Sequence, residues 1–275
     1  MPVERIETLR DSRLDVYRDV RQANLTRYSG RFITEGRLVT ERLLTSDYEV
    51  ESVLVDDRSA ANLLPLIPAG TTVYQIPHEL VDDLVGFHFH RGVMACGRRR
   101  PFAPLESVAA AWPARATIVV ACGVMDPENL GSIIRSSAAF GADALLLGPS
   151  CADPFSRRVL RVSMAAALRL TMIESLDLVA DLQLLRRQWQ VRFAATVLSD
   201  SATPLEQATR GERFGLVFGS EGYGLPAEVA SACDDQVTLP MRLETDSLNV
   251  SVATGVFLYH FTHVAVTNNK TAADN

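Results

Sequence analysis

The chain has 275 residues, 47% hydrophobic and 22% charged, the balance of a globular protein with room for one or two cores. Its 27 Lys and Arg against 33 Asp and Glu leave a formal net charge of -6, which argues against a general polyanion binder, because non-specific nucleic-acid binding rests on cations that neutralise phosphates. Four scattered cysteines, Cys96, Cys122, Cys151 and Cys233, form neither a CxxC pair nor a Cys/His zinc spacing, so reduced thiols in a cytoplasmic protein are expected, with no metal.

No basic segment followed by an apolar run opens the chain, so no secretory leader is expected. Residues 1–30 read as an N-terminal helical extension, with a helix over 11–24. The stretch RFITEGRLVTERLLT, 31–45, repeats apolar residues at helical spacing. A strand at 50–55, a polar helix at 57–64, a strand at 71–75, a helix at 77–85 and a strand at 92–97 follow, an alternation that predicts a compact α/β domain over 31–98. Pro101, Pro104 and Pro113 among alanines mark 99–115 as a linker.

Beyond it the alternation is more regular. The apolar runs TIVVACGV, DALLLG, LTMIE, VRFAATV, FGLVFGS and QVTLP predict strands, separated by helices after Asp126 and over 158–168, 178–189 and 227–232. Unbroken apolar strands are what a mainly parallel sheet shows when helices cover both its faces. Its ligand then sits beyond the carboxyl ends of the strands. The run 248–266 is almost apolar enough for a membrane span, but Asn249, Ser251, Thr254, His260, Thr262 and His263 interrupt it, and a buried terminal helix is expected instead. The catalytic domain is expected over 116–267 and a disordered tail over 268–275. His88 with His90, and His260 with His263, share a side of their elements, yet neither pair has a third ligand nearby.

Three loops carry the candidate chemistry. In the first, GVMDPENLGSIIR, Asp126 is an N-cap, Pro127 suits the first helical position and Glu128 favours the positive end of the dipole. Gly131 lies one turn before Arg135, and an arginine among small and apolar residues either snorkels to water or meets a group that approaches the backbone at the glycine. The second, FGSEGYGLP, departs from the GxGxxG order, and Glu221 repels a pyrophosphate; it is either a tight turn or a backbone cradle for a ligand without phosphate. In the third, LPMRLETDSLNVSVATGVFLY, Ser247 reads as the N-cap and Asn249 as a first-turn residue of the last helix. Two basic groups, Arg98 to Arg100 and Arg157, Arg158, Arg161 with Arg169, read on their own as solvated faces.

Taken in order, Asn129-x-Gly131-x-x-x-Arg135, Gly219-x-Glu221-x-x-Gly224-Leu225, and Pro240-Met241 followed by Ser247-Leu248-Asn249-Val250-Ser251-Val252-Ala253 resemble the SpoU, or TrmH-like, family of RNA ribose 2'-O-methyltransferases within the SPOUT superfamily. FITEGRLV and HRGVMACG resemble, more weakly, the small L30-like substrate-binding domain that often precedes the catalytic one. The resemblance implies an α/β fold whose C-terminal sheet is mainly parallel and ends in a deep trefoil knot, and a homodimer with its active site near the interface. It implies S-adenosyl-L-methionine as cofactor, held around Val197, Gly219, Ser220, Glu221, Gly224, Leu239, Met241, Leu248 and Asn249. It carries catalytic roles to Arg135, Asn129, Glu221, Ser247 and Asn249, and RNA contacts to Arg135, Arg157, Arg158 and Arg161. The expected reaction is methylation of a ribose 2'-hydroxyl in structured RNA, rRNA by family analogy or else tRNA, with no metal and no membrane involved. The alternatives are SPOUT-type methylation of a base and a non-catalytic RNA-binding or ribosome-assembly factor.

Overall fold

A computed structural model describes residues 3–18, 20, 29–89, 92–241 and 247–264. They form two compact units. One comprises 1–101 with 153–169, the other 102–152 with 170–275.

The first unit holds a mixed sheet of five strands among the described residues, in the order β1-β4-β3-β5-β2: β1 (Val3–Arg5), β2 (Arg31–Glu35), β3 (Val50–Asp56), β4 (Val73–Ile76) and β5 (Val93–Arg98). β1 and β3 run parallel to β4, while β5 is antiparallel to both β2 and β3. The helical spacing of 31–45 misled in part: residues Arg31–Glu35 are a strand, Gly36 turns at φ 87°, and helix α1 begins only at Arg37 and runs to Leu44. The β-branched and aromatic RFITE pairs with β5, and tertiary pairing overrides the local period. Helices α2 (Asp57–Leu63) and α3 (His78–Val85) follow the strands as expected, α2 capped by the Asp56 carboxylate, which accepts from Ser59 N. In the described part of the expected 11–24 helix there is a 3-10 helix at Ser12–Tyr17, with Asp11 as its cap; residues 19 and 21–24 lie outside the described residues, as does His90. Leu14, Tyr17, Ile33, Leu54, Val85 and Met94 pack this unit's core.

The second unit is built on a seven-stranded sheet, order β10-β12-β9-β11-β6-β7-β8, in which every pairing is parallel. Its strands are β6 (Ala116–Ala121), β7 (Ala144–Leu147), β8 (Met172–Glu174), β9 (Arg192–Thr196), β10 (Thr203–Pro204), β11 (Arg213–Phe218) and β12 (Asp235–Thr238). The expected linker contains a helix, α4 (Leu105–Ala110): Pro104 opens it, Glu106 sits in its first turn, and buried Ala109 and Trp112 join the core against one sheet face. Helix α5 (Pro127–Ala139) follows β6, α6 (Arg157–Val162) follows β7, α7 (Leu178–Trp189) follows β8, α8 (Ala227–Ala232) follows β11, and α9 (Val250–Tyr259) is the last. Leu178, Leu182 and Leu185 of α7 cover the face that carries Ile118, Val120 and Phe193. α9 packs on α5 and on β11, where the rings of Phe257 and Phe218 meet edge to face at 5.8 Å. Helices therefore cover both faces, as the unbroken apolar strands require.

The segment 242–246 that joins β12 to α9 lies outside the described residues, as do 265–275. Among the described residues no helix is long and apolar enough to cross a membrane, and no group of three or more His, Cys, Asp or Glu is placed to hold a metal ion.

Helix α6, from the second half of the sequence, belongs to the first unit. There Phe155 packs against Phe32 and Tyr48, with ring centroids at 5.3 and 5.7 Å. Arg99 lies over the Phe155 ring and reaches Asp153 at 2.7 Å, and Arg157 binds Glu35 at 2.5 Å while stacking on Phe87.

Candidate active site

The carboxyl ends of β6, β9, β11 and β12 open into one end of the second unit's sheet, and the three candidate loops leave from there. At the first, the Asp126 carboxylate accepts from Glu128 N at 2.8 Å and Asn129 N at 2.9 Å, the N-cap read from the sequence. Capping fixes the first turn of α5 and with it the buried side chain of Asn129.

The second loop is a tight hairpin. Ser220 N donates to Gly224 O at 3.2 Å and Gly224 N to Ser220 O at 3.0 Å, closing a three-residue tip. Gly222 and Gly224 take φ of 88° and 65°, a region open to glycine at no steric cost. Gly219 is required for a different reason: a Cβ there would collide with the Gly224 carbonyl and the Leu225 nitrogen.

The third loop enters α9, and here the expected cap is displaced by two residues. Asn249, not Ser247, is the N-cap: its Oδ1 accepts from Ser251 N at 2.9 Å and from Ser251 Oγ at 2.5 Å. That choice leaves its amide free to bridge the other two loops. Asn249 Nδ2 donates to Asn129 Oδ1 at 2.9 Å and to Glu221 Oε1 at 2.5 Å. One side chain thus caps a helix with its oxygen and joins three distant segments with its nitrogen.

Beside this junction lies a cavity of about 600 Å³. Val197 at the end of β9, the hairpin residues Gly219, Ser220, Glu221 and Gly224, Leu239 and Met241 after β12, and Leu248 and Asn249 before α9 all line it, and so does Ser247. The wall also takes Thr196, Leu198, Phe218, Gly222, Val250, Ala253 and Phe257. The spacing of 250, 253 and 257 is one face of a helix and was a readable signal once the helix start was placed at Val250. Among the described residues the wall holds no Lys or Arg, and its one acid is Glu221. A phosphate finds no counter-charge there, whereas a sulfonium-bearing nucleoside finds an apolar wall, loop backbone groups and one carboxylate. The residues present therefore fit S-adenosylmethionine.

Arg135 is elsewhere. It is exposed in the middle of α5, makes no hydrogen bond or ion pair among the described residues, and does not belong to the cavity wall. Six residues of helix separate it from Asn129, about 9 Å along the axis. Gly131, one turn before Arg135, is buried. Arg157 and Arg161 face the first unit's Glu35, at 2.5 and 4.0 Å, and only Arg158 of the three is exposed. The Arg98 to Arg100 run is also engaged: Arg98 with Glu51 at 2.7 Å, Arg99 with Asp153, and Arg100 over the Tyr48 ring.

Residues 116–259 match the SpoU rRNA Methylase family. An uncharacterised tRNA/rRNA methyltransferase of Mycobacterium bovis is 36% identical over 92% of this chain and 89% of its own length. A 23S rRNA (guanosine-2'-O-)-methyltransferase of Acinetobacter baylyi is 29% identical over 74% of this chain and 84% of its own. In fold, the chain is similar to an AdoMet-bound rRNA methyltransferase from Sinorhizobium meliloti, with a TM-score of 0.79 at 24% identity, covering 94% of this chain and 96% of that one.

Proposed function

Since the chain belongs to the SpoU rRNA Methylase family, we propose that it transfers a methyl group from S-adenosyl-L-methionine to a ribose 2'-hydroxyl of structured RNA, with rRNA the substrate ahead of tRNA. The observation that carries this is the junction at Asn249, which draws Asn129 and Glu221 together at the rim of a cavity suited to a cationic nucleoside.

When bound, the cofactor supplies an electrophilic methyl on a sulfonium. Val197, Leu239, Met241 and Leu248 would hold its apolar parts, with Gly219, Ser220 and Gly224 offering backbone groups and Glu221 a negative charge. The protein's remaining task is the nucleophile, because a ribose hydroxyl is a weak acid and must lose its proton as the new bond forms. Arg135 serves as a fixed cation: it holds a substrate phosphate and stabilises the developing alkoxide, while a phosphate oxygen or water takes the proton. A guanidinium stays protonated in proteins, which argues against Arg135 as the base itself. It is exposed and pairs with no acid among the described residues, which leaves it open to an external anion. Asn129, Ser247 and Asn249 fix the loops around the ribose, and Arg157, Arg158 and Arg161 offer cations to the RNA backbone.

The enzyme works as a cytoplasmic homodimer. Supporting this, α9 exposes Val252, Val256 and Tyr259 along one side, an apolar stripe that a second copy would cover. Residues 31–98 act as an L30-like RNA-binding domain after a 1–30 extension, joined through 99–115 to a catalytic domain over 116–267. The C-terminal segment is knotted, a reading supported by the passage of the chain from β12, outside β9, back to α9 against α5 and β11. Nucleoside mass analysis of digested RNA from cells with and without the gene tests the reaction. One 2'-O-methylnucleoside lost with the gene is expected; a lost base methylation, or no change, overturns it.

A further inference from the structure

Among the described residues of the second unit, the exposed large apolar side chains fall in two places. One is α9 with Val264 after it; the other is the set of loops at the carboxyl end of the sheet, which carry Met125 after β6, Leu176 after β8, Leu198 after β9, Tyr223 after β11, and Leu248. Because every pairing is parallel, these loops share the end where the cavity opens. Tyr223, 90% exposed, stands apart from the rest as the only aromatic of the set.

Its position is built rather than incidental. The two backbone hydrogen bonds between Ser220 and Gly224 close the hairpin beneath it, and the glycines on either side take the positive φ angles that turn the tip. Two residues away, Glu221 is held by Asn249, and Gly219 lies where a Cβ would run into the backbone of Gly224 and Leu225. Glu221, Gly222 and Gly224 line the cavity while Tyr223 does not. The ring is therefore presented outward on a pinned tip beside the cavity mouth. An exposed tyrosine gains nothing from burial, and in a hairpin that needs only glycines to turn, it adds nothing to the fold.

We propose that Tyr223 is a substrate-stacking residue: its ring takes the face of an unpaired nucleobase in the RNA whose ribose is presented to the cavity. This rests on the RNA-methyltransferase reading above. A 2'-hydroxyl reaches a recessed donor only if its nucleotide leaves the helical stack, and a base that has left the stack regains a partner on an aromatic face. Such stacking is sequence-tolerant, so Tyr223 selects an unstacked base rather than a particular one.

The test uses the full chain and its Tyr223→Ala, Tyr223→Leu and Tyr223→Phe variants, in two arms. In the first, fluorescence anisotropy follows a labelled single-stranded 20-nucleotide RNA and the same RNA annealed to its complement. The wild type and Tyr223→Phe prefer the single strand, and Ala and Leu bind it about tenfold more weakly with no change for the duplex. In the second, deproteinised rRNA from cells lacking the gene is the methyl acceptor: Ala and Leu raise KM for RNA about tenfold, with kcat and S-adenosylhomocysteine affinity within twofold of the wild type. Equal behaviour of Leu and Phe, an unchanged single-strand affinity in Ala, or a parallel loss of S-adenosylhomocysteine affinity overturns the assignment. If the wild type methylates no RNA while the first arm behaves as described, the enzymatic reading fails and the stacking role stands.

Discussion

The amide of Asn249 and the side-chain oxygen of Asn129 meet at 2.9 Å although 120 residues separate them, and the same amide reaches Glu221 at 2.5 Å. Asparagine supplies in one small side chain an acceptor for the α9 cap and two N–H donors, one for each loop, where a Ser or Thr hydroxyl has a single donor. Asn249→Asp keeps the first and destroys the second, setting a carboxylate against that of Glu221. Loss of a hydrogen bond to a charged group costs about 1.5–3 kcal/mol, so S-adenosylhomocysteine affinity, read by calorimetry, falls at least tenfold at pH 8. Two adjoining carboxylates raise the pKa of one of them, and the shared proton restores a donor. The variant's affinity therefore recovers as pH falls toward 5, and a loss independent of pH would show that the donor is not what holds the loops.

This junction explains what was and was not legible in the amino-acid order. The Asp126 cap, the α7 limits and the parallel sheet follow from local rules, since caps, periodicity and unbroken apolar runs are short-range signals. The displaced α9 cap was not local: Ser247 is a good N-cap by type, and Asn249 takes the position because only there does its amide reach Asn129 and Glu221. Strand Arg31–Glu35 hid behind a helical period because its partners in β5 lie 59 to 67 residues away in sequence. Arg157 and Arg161 of α6 read as a bare basic face because their acid, Glu35, sits over a hundred residues earlier. The nine candidate cofactor residues gather at one cavity, and Arg135, assigned from its motif to the substrate rather than the cofactor, stands outside its wall.

Arg135 is exposed and belongs to no ion pair among the described residues, so its removal leaves the fold and the cavity unchanged. Arg135→Ala is expected to lower kcat by two orders of magnitude or more, the range seen when one preorganised charge-stabilising donor is removed. S-adenosylhomocysteine affinity stays within twofold, and the thermal midpoint within a degree or so. Arg135→Lys retains charge but not the planar fork, and recovers only part of the rate. Wild-type turnover in the alanine variant would end the proposed role.

Arg157 and Arg158 are neighbours with different duties. Arg157 pairs at 2.5 Å with Glu35, a carboxylate 4% exposed, so Arg157→Ala takes a close cation from a buried charge and is expected to destabilise the chain by up to about 3–5 kcal/mol. Urea unfolding reads that loss, and pairing Arg157→Ala with Glu35→Gln costs less than the sum of the two. Arg158, unlike Arg157, is exposed. Arg158→Glu is expected to reduce the slope of log affinity for rRNA against log salt by about one or more. An unchanged slope would remove α6 from the RNA surface.

The thiols give a separate test of the first unit's core. Cys96 is buried in β5, with Glu51 Oε2 at 3.8 Å, and burial, with the nearby carboxylate adding to it, pushes its pKa from the ordinary 9 up to about 12. Cys233 is pushed to about 12 as well, again chiefly by burial. Both are neutral thiols at pH 8, so iodoacetamide labels them in the native protein far more slowly than in urea. The linkage has one sign. A folded-state pKa above the unfolded one gives stability that is complete below about pH 9 and is lost as pH rises toward 12, because the unfolded chain gives up the proton first. Each such thiol contributes a slope of about 1.4 kcal/mol per pH unit across that window. Cys96→Val removes the titrating group at similar volume, so the urea midpoint of the variant falls less steeply between pH 9 and 11 than that of the wild type. Parallel slopes would mean that Cys96 titrates at its ordinary value and that β5 is open to water.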